Sequence, residues 1–299
     1  MRIAVVTTSY PAYPGDPSGH FVEEEVVELR RAGHEVTVVR PAAGGAFGWP
    51  GAAARLRERP ARVFEAAGWC VRAVRELRHL DVDRVVAHWS VPSGLLASLV
   101  DVPDFEIVSH GGDVRLLAGL PVRPREAAVR RLVGRAQRWR FVSQRLLDQL
   151  LAVLSPDLAS ALQAIATVAP SPLGTIDVEH EVRARRDQVK GRKLFVCAAR
   201  LVASKRIDRV IDYVATQRMD APTGGAPLLV VVGDGPERAH LEQLASRWML
   251  DARFVGRLSR TETLAWIGAA DEVVHASHAE GLSTVVREAE HLGVPVTIL

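Results

Sequence analysis

Short apolar runs rich in β-branched residues alternate with longer amphipathic stretches along the whole chain. Such runs are typical of parallel strands buried on both faces, and the amphipathic stretches are typical of the helices that cover them. Strands are predicted over residues 2–7, 35–39, 84–87, 106–109, 138–142, 165–169, 193–198, 228–232, 252–255, 272–276 and 295–298. The pattern therefore predicts an α/β protein built on doubly wound parallel sheets.

A length of 299 residues suits two domains of ordinary size. Between the sixth and seventh predicted strands lies Pro170-Ser171-Pro172-Leu173-Gly174, whose prolines remove backbone donors and restrict φ as a linker would. We place the boundary there, with one domain over residues 1–170 and another over 171–299. Because open α/β sheets bind ligands at the carboxyl ends of their strands, we expect the two domains to face a central cleft.

Two helix ends are predicted from local chemistry. Residues 21–31 carry apolar side chains at helical spacing and are followed by Gly33, which suits the left-handed turn that ends helices. Ser259 and Glu262 have the spacing of a capping box, in which each side chain satisfies a free main-chain N–H of the first turn.

The charge distribution limits the classes of partner. A formal charge of +3 is too small to indicate nucleic acid binding. Residues 123–140 carry seven arginines against Glu126 alone, so this stretch is either a solvated helix face or a weak peripheral contact with an anionic membrane, and we favour the first. No window approaches the run of about 18 apolar residues that crosses a bilayer. The N-terminus enters a strand without a cleavable signal, so we expect a cytoplasmic protein.

Residues suited to an anion follow two strands of the second half. Arg200 can grip two oxygens in a planar fork, and Lys205 adds a point charge a few residues later. Gly233 begins a Gly-Asp-Gly-Pro turn at the next strand end, where glycine permits a tight turn. Surface cations and turns of this kind are common, so the alternative is that they have no role in binding.

A third segment combines a helix start with two carboxylates. Main-chain N–H groups of Gly281, Leu282 and Ser283 precede a predicted helix, where the helix dipole favours a phosphate. Glu280 lies before this helix and Glu288 about two turns further on, so both can accept hydrogen bonds from hydroxyls of one extended ligand. The alternative is an ordinary acidic helix.

In the first half, His110 and Asp113 follow a strand and flank two glycines. Polar residues at such a strand end make a ligand site and a structural histidine equally good interpretations. Ser18 and Gly19 close a Gly/Pro loop after the first strand, where a substrate can approach the main chain.

These segments, taken in order, resemble those of the retaining glycosyltransferases of family 4, which have the GT-B fold of two Rossmann-like domains. The resemblance covers nearly the whole chain. The matching segments are Ser9-Tyr10-Pro11, Ser18-Gly19-His20-Phe21, Gly33-His34-Glu35-Val36, Ser109-His110-Gly111-Gly112-Asp113, Phe141-Val142-Ser143, Ala199-Arg200-Leu201-Val202 with Lys205, Gly233-Asp234-Gly235-Pro236, Val255-Gly256-Arg257-Leu258, and Glu280-Gly281 through Glu288.

The resemblance implies a hexosyltransferase that moves a sugar from a nucleotide diphosphate sugar to an unidentified acceptor, with retention and without a metal or other cofactor. Arg200 and Lys205 would hold the diphosphate, helped by the main chain of residues 281–283. Glu280 would bind hydroxyls of the sugar, and Glu288 the ribose. The remaining implied residues are Gly233, Arg257 and Leu258 on the donor side, the last two through main-chain groups at the base, catalytic His110 beside the donor sugar, and Ser18, Gly19 and Asp113 on the acceptor side.

The sequence departs from the family pattern at four places, one of which is Leu173-Gly174, where the family usually has Asn-Gly. Ala199 and Arg206 stand where the family usually has glycine, and the chain ends at Leu299 directly after a strand, where family members continue. We therefore expect a shortened C-terminal domain. Two alternatives to a transferase stay open: a nucleotide-sugar epimerase or hydrolase of GT-B fold, and a non-catalytic sugar-nucleotide-binding protein that lacks the missing C-terminal segment.

Overall fold

The computed structural model of the protein describes residues 1–48, 51–174, 177–189, 191–219, 226–277 and 282–299. The strands in these ranges are β1 Arg2–Val6, β2 Glu35–Val39, β3 Arg84–His88, β4 Asp104–Ser109, β5 Arg138–Phe141, β6 Ala166–Val168, β7 Leu194–Ala198, β8 Leu228–Val232, β9 Asp251–Gly256, β10 Glu272–His275 and β11 Val296–Ile298. Every strand predicted from the sequence is present, with its ends within two residues of the prediction.

Helices connect most of these strands. They are α1 His20–Arg31, α2 Ala52–Glu58, α3 Arg62–His79, α4 Leu95–Ala97, α5 Gly112–Gly119, α6 Val122–Val133, α7 Gln144–Leu151, α8 Pro156–Ile165, α9 Glu179–Gln188, α10 Ile207–Met219, α11 Arg238–Arg247, α12 Arg260–Ala269 and α13 Thr284–His291. Across the described ranges, no helix has both the length and the apolar character that crossing a membrane requires.

Both predicted helix ends are confirmed. Gly33 follows α1 at a φ of 83°, in the left-handed region that glycine adopts without a steric penalty. At the start of α12, Ser259 Oγ accepts from the main-chain N of Glu262 at 3.2 Å, and Glu262 Oε2 accepts from the main-chain N of Ser259 at 3.0 Å. The capping box therefore satisfies two donors of the first turn.

The chain divides into two compact units. The first comprises Met1–Ala12 and Ser18–Pro172, and the second comprises Leu173–Leu299 together with Tyr13–Pro17. The division after Pro172 lies two residues from the boundary that we place from the sequence. The assignment of the short segment near the N-terminus to the second unit has no counterpart in that prediction.

The first unit contains a parallel sheet in the order β2-β1-β3-β4-β5-β6. Its central strands are buried on both sides, and Val86, Ile107 and Trp139 lie in the core. The order turns back between β1 and β3, because β1 is followed along the chain by β2 on one side and β3 lies on the other. Ligands of open α/β sheets bind at the carboxyl ends of the strands at such a reversal.

The second unit contains a parallel sheet in the order β11-β10-β7-β8-β9. Alternate residues of β7 point to opposite faces. Val196 packs in the apolar layer formed with α12 and α13, whereas Phe195 packs in the layer formed with α10 and α11. Helices therefore cover both faces, and the α/β doubly wound fold predicted from the sequence is confirmed.

Candidate active site

The strand order of the second unit reverses between β7 and β10, which are hydrogen-bonded neighbours. If β7 is counted as strand 1 of this sheet and β11 as strand 5, the strand order is 3-2-1-4-5, as in Rossmann-type proteins. Ligands of such proteins bind at the carboxyl ends of the strands where the order reverses. Arg200 and Lys205 follow β7, and Leu282 and Ser283 lie between β10 and α13. The topology thus brings the predicted cationic segment and the predicted helix N-terminus to adjacent strand ends.

Lys205 ends a short 3-10 turn, Ala203–Lys205, and its charge acts on both of these strands. Burial and, to a smaller extent, the charge of Lys205 together lower the pKa of His275, the last residue of β10, to about 4. Burial also raises the pKa of the Cys197 thiol in β7 to about 12, an effect that the charge of Lys205 opposes. The charge of Lys205 therefore acts at the carboxyl ends of both β7 and β10, while Arg200 is exposed at the end of β7.

Main-chain hydrogen bonds join the loops that follow β7, β8 and β9. Leu201 N donates to Asp234 O at 2.9 Å, and Gly233 N donates to Gly256 O at 2.8 Å. Gly233 has a φ of 134°, and a Cβ there would lie 1.9 Å from Ala199 O. Glycine is therefore required by the close approach of two chains, and Gly233 shapes the cationic loop in addition to its predicted place on the donor side.

Arg206 occupies the left-handed region, with φ 49° and ψ 43°. It stands where the resembling family usually has glycine, the residue that adopts this region without a steric penalty. Its side chain pairs with Asp208 at 3.4 Å, and both side chains are 41% exposed. An exposed pair of this kind contributes little to stability, whereas a side chain at positive φ costs about 1–2 kcal/mol.

The helix start at α13 is capped by its own chain. Ser283 Oγ accepts from the main-chain N of Val286 at 3.4 Å, and Leu282 is 38% exposed. The predicted sugar ligand Glu280 and the predicted phosphate ligand Gly281 lie outside the described residues, and their roles stay predictions.

Glu288 forms a buried ion pair that the sequence analysis missed. Its Oε1 accepts from Arg260 Nε at 3.3 Å, with both side chains less than a tenth exposed. Burial raises the pKa of Glu288, and the charge of Arg260 lowers it. The guanidinium also donates to the main-chain oxygen of Leu173, and the main-chain N of Arg260 donates to Gly15 O at 3.1 Å. The predicted ribose ligand is thus held by a cation that spans several segments of the second unit.

The other predicted donor-side residues follow β9. Arg257 pairs with Asp16, which is 5% exposed and belongs to Tyr13–Pro17 of the same unit. Leu258 packs partly buried against the apolar layer of α12 and α13. The Arg257 side chain therefore anchors the short N-terminal segment, which leaves the predicted contact with the base to main-chain groups.

In the first unit, His110 lies among aromatic rings beyond the carboxyl end of β4. The centroids of Phe21 and Trp89 are each 4.8 Å from that of His110. Trp89 has a φ of 67°, an uncommon conformation for a bulky residue and one that often occurs near functional sites. His88 Nδ1, at the end of the neighbouring β3, lies 2.9 Å from His110 Nε2.

Asp113 is buried and accepts four hydrogen bonds from the loops around His110. The donors are Ser90 N at 2.8 Å, Ser90 Oγ at 2.9 Å, Gly111 N at 3.0 Å and His110 N at 3.2 Å. Its carboxylate therefore fixes the main chain at His110, and its place on the acceptor side stays a prediction.

Gly19 precedes α1 at a φ of 67°, and a Cβ there would lie 2.4 Å from Ser9 O. The loop that ends at Ser18 and Gly19 consequently closes against the end of β1, at the reversal point of the first sheet. The acceptor-side role of these two residues is untested by this geometry.

Most arginines between residues 123 and 140 bond within the first unit. Their hydrogen bonds of 3.0 Å or less include those from Arg125 to Leu120 O, from Arg131 to the side-chain and main-chain oxygens of Ser98, from Arg135 to Val100 O, and from Arg138 to the carboxylate of Asp104. These contacts use the guanidinium groups to fasten α6 and the strand after it to their neighbours. Among the residues that the structure describes, no group of three His, Cys, Asp or Glu side chains is arranged to hold a metal ion.

Comparison with solved structures defines the class of fold. The crystal structure of Anabaena HepE in complex with UDP and glucose has a TM-score of 0.65 at 18% identity, over 99% of this chain and 80% of that chain. This likeness and the two parallel sheets give the protein a GT-B fold, as predicted.

Comparison with known sequences shows which family and which proteins the chain is similar to. Residues 178–298 match the model of the glycosyl transferases group 1 family. TuaC of Bacillus subtilis, named for teichuronic acid biosynthesis, is 27% identical over 99% of this chain and 80% of its own length. A GDP-mannose-dependent alpha-mannosyltransferase of Mycobacterium tuberculosis is 28% identical over 99% of this chain and 78% of its own length. Residues 178–298 thus match the group 1 glycosyltransferases, and over nearly all of its length the chain is similar to two proteins named as glycosyltransferases.

We predict that Arg206→Gly raises the free energy of unfolding by about 0.5–1 kcal/mol, because it removes the Cβ penalty at positive φ and costs only a weak ion pair and some unfolded-state entropy. Urea denaturation measures this change. Arg206→Ala is the matched control, since it removes the ion pair but keeps the Cβ. Equal stabilisation by both variants would contradict the argument from backbone strain.

Breaking the buried pair should be costly. We expect Arg260→Met to lower the free energy of unfolding by about 3 kcal/mol, because it leaves the carboxylate of Glu288 buried without its cation. Adding Glu288→Gln removes that charge and should recover part of the loss. A double-mutant cycle by urea denaturation measures the coupling, and additive effects of the two changes would show that the pair does not interact.

Acid should weaken the first unit through His88. Burial lowers the pKa of this imidazole from 6.5 to about 3, so the unfolded chain takes up a proton at a pH where the folded unit does not. Stability is therefore lost as the pH falls below 6.5, by about 1.4 kcal/mol from His88 alone between pH 7.5 and 5.5. Hydrogen exchange of the amides of β3 and β4 measures the loss of stability between pH 7.5 and 5.5. This loss should be about 1.4 kcal/mol smaller in His88→Asn than in the wild type. An identical pH dependence in the two proteins would rule out an uncharged His88.

Proposed function

We propose that the protein transfers a hexosyl group from a nucleotide diphosphate sugar to an acceptor, with retention of anomeric configuration and without a metal ion, as in family 4. The observation that carries the proposal is the position of the Arg200–Lys205 segment and of the α13 N-terminus at the strand-order reversal between β7 and β10. Two cations and the main-chain N–H groups of a helix start at one such edge suit a diphosphate.

The relatives support a donor of this class. The mycobacterial relative is named for dependence on GDP-mannose, and the HepE structure contains UDP and glucose. These two nucleotides share a diphosphate and differ in the base. The contact that would read the base is a main-chain one near Leu258, so the proposal specifies the diphosphate and leaves the base to experiment.

Charge development gives these residues a catalytic task. Cleavage of the bond between the anomeric carbon and the phosphate oxygen places positive charge on the sugar and negative charge on the departing diphosphate. Arg200 and Lys205 would stabilise that negative charge as it grows, and donors already in place need no reorganisation during the reaction. The first unit would contribute His110, held by Asp113 and the aromatic rings around it.

We expect Arg200→Ala and Lys205→Ala each to reduce the rate of sugar transfer by roughly 10²–10³, since each removes one group that stabilises the leaving diphosphate. The measurement is product formation from radiolabelled nucleotide sugars and an acceptor mixture, with and without EDTA. Mass spectrometry of the product distinguishes transfer from epimerisation or hydrolysis.

The chain offers a matched control for the lysine. Lys193 immediately precedes β7, at the amino ends of the strands rather than the carboxyl ends, and pairs with Glu272 at 3.2 Å. Lys193→Ala therefore makes the same change of charge away from the proposed anion site and should leave transfer within about twofold. Full activity in both Arg200→Ala and Lys205→Ala would overturn the proposal.

A further inference from the structure

Three titratable side chains of the first unit form a line that ends at His110. Glu25 lies on α1, His88 ends β3, and His110 follows β4. His88 is completely buried, whereas His110 is only partly buried. The two ring planes differ by 14° and their centroids are 5.2 Å apart, although the facing nitrogens are only 2.9 Å apart. The rings therefore meet edge to edge, with a shared proton between His88 Nδ1 and His110 Nε2.

Both imidazoles are uncharged at neutral pH. Burial lowers the pKa of His88 to about 3, with a further contribution from the charge of Arg140. Burial and the neighbouring His88 hold the pKa of His110 well below its ordinary value, although Asp113 opposes the shift. A pair of neutral rings joined in this way has two arrangements, and they differ in which ring donates the shared proton.

The far side of His88 decides between these arrangements. His88 Nε2 lies 4.0 Å from Glu25 Oε2, and both atoms are buried with no hydrogen-bond partner among the described residues. Burial raises the pKa of Glu25, and Arg140 opposes that rise. The ion pair between Arg140 and the other oxygen of Glu25 is the geometric reason to treat this carboxyl as ionised. A bare Nε2 would direct its lone pair at that carboxylate, whereas a protonated Nε2 directs an N–H at it.

A proton on Nε2 of neutral His88 leaves Nδ1 as an acceptor. His110 must then donate from its Nε2, and its own Nδ1 retains a lone pair. We propose that His88 is a positioning residue that, with Glu25, holds His110 in this tautomer, so that His110 Nδ1 accepts a hydrogen bond from a hydroxyl of the donor sugar. The tautomer follows from the first unit alone, and the sugar contact rests on the proposed function.

Nitrogen-15 NMR of the histidine-labelled full chain tests the tautomer without any substrate. We expect a pyrrole-type shift for His110 Nε2 and a pyridine-type shift for His110 Nδ1 in the wild type. In Glu25→Gln, the amide oxygen stays with Arg140 and the amide NH₂ faces His88 Nε2, so the His110 pattern should reverse. A wild-type pyrrole-type shift at Nδ1, or no change in a folded Glu25→Gln, would overturn the proposal.

Two substitutions of His88 give a matched pair that does not depend on the ion pair of Glu25. The Asn side-chain oxygen can take the place of Nδ1 and accept from His110, whereas the Gln amide extends to the place of Nε2 and loses that contact. We expect His88→Asn to keep the wild-type His110 pattern and most of kcat. His88→Gln should alter the pattern and lower kcat about tenfold or more, with a smaller change in KM.

The NMR shifts of His110 and the transfer rates of the variants distinguish this inference from the proposed function. Loss of the predicted shifts overturns the inference even if Arg200→Ala and Lys205→Ala abolish transfer. Unchanged transfer in those two variants overturns the proposed function even if the shifts agree. Equal kcat in His88→Gln and His88→Asn would overturn the positioning role of His88.

Discussion

The second unit depends on one constraint, the reversal of strand order at β7. From β7 the sheet continues through β8 and β9 on one side and through β10 and β11 on the other. The chains that leave the carboxyl ends of β7 and β10 therefore run to opposite sides of the sheet and leave a crevice between them. The loops after β7 and β10 can therefore present their polar groups to one ligand, while the apolar side chains of both strands stay in the layers beneath. Lys205 illustrates the result, because its charge reaches His275 on β10 and Cys197 on β7.

Close approach of main chains gives these loops a fixed shape. Gly233 lies against Ala199 O at a distance that no side chain allows, and the hydrogen bonds around it join three strand ends. A cation that stabilises developing charge is effective only if it is held in place beforehand. The glycine turn after β8 therefore supports the segment that carries Arg200 and Lys205, even though it contributes no charge of its own.

Most of the fold could be predicted from the sequence because strand burial and helix capping are local properties. All the described strands, the end of α1 before Gly33 and the Ser259 capping box follow from apolar runs, turn residues and spacing. The strand ends also indicated His110, Arg200 and Lys205. Ion pairs and hydrogen bonds between side chains that are far apart in the sequence could not be predicted. Arg260 stands in the first turn of α12, where a cation is disfavoured by the helix dipole, and only the folded unit shows that Glu288 compensates it.

His88 shows the same limit in the first unit. A histidine that ends an apolar strand is more often structural than catalytic, and nothing in its neighbours along the chain links it to His110. The link comes from the pairing of β3 with β4, which sets His88 opposite Val108 and brings the residue after Ser109 beside the buried ring. His88 has the carboxylate of Glu25 on one side and the imidazole of His110 on the other, so the ring nitrogen of His88 that carries the proton sets which nitrogen of His110 carries one. The chemical effect of His88 therefore appears at His110.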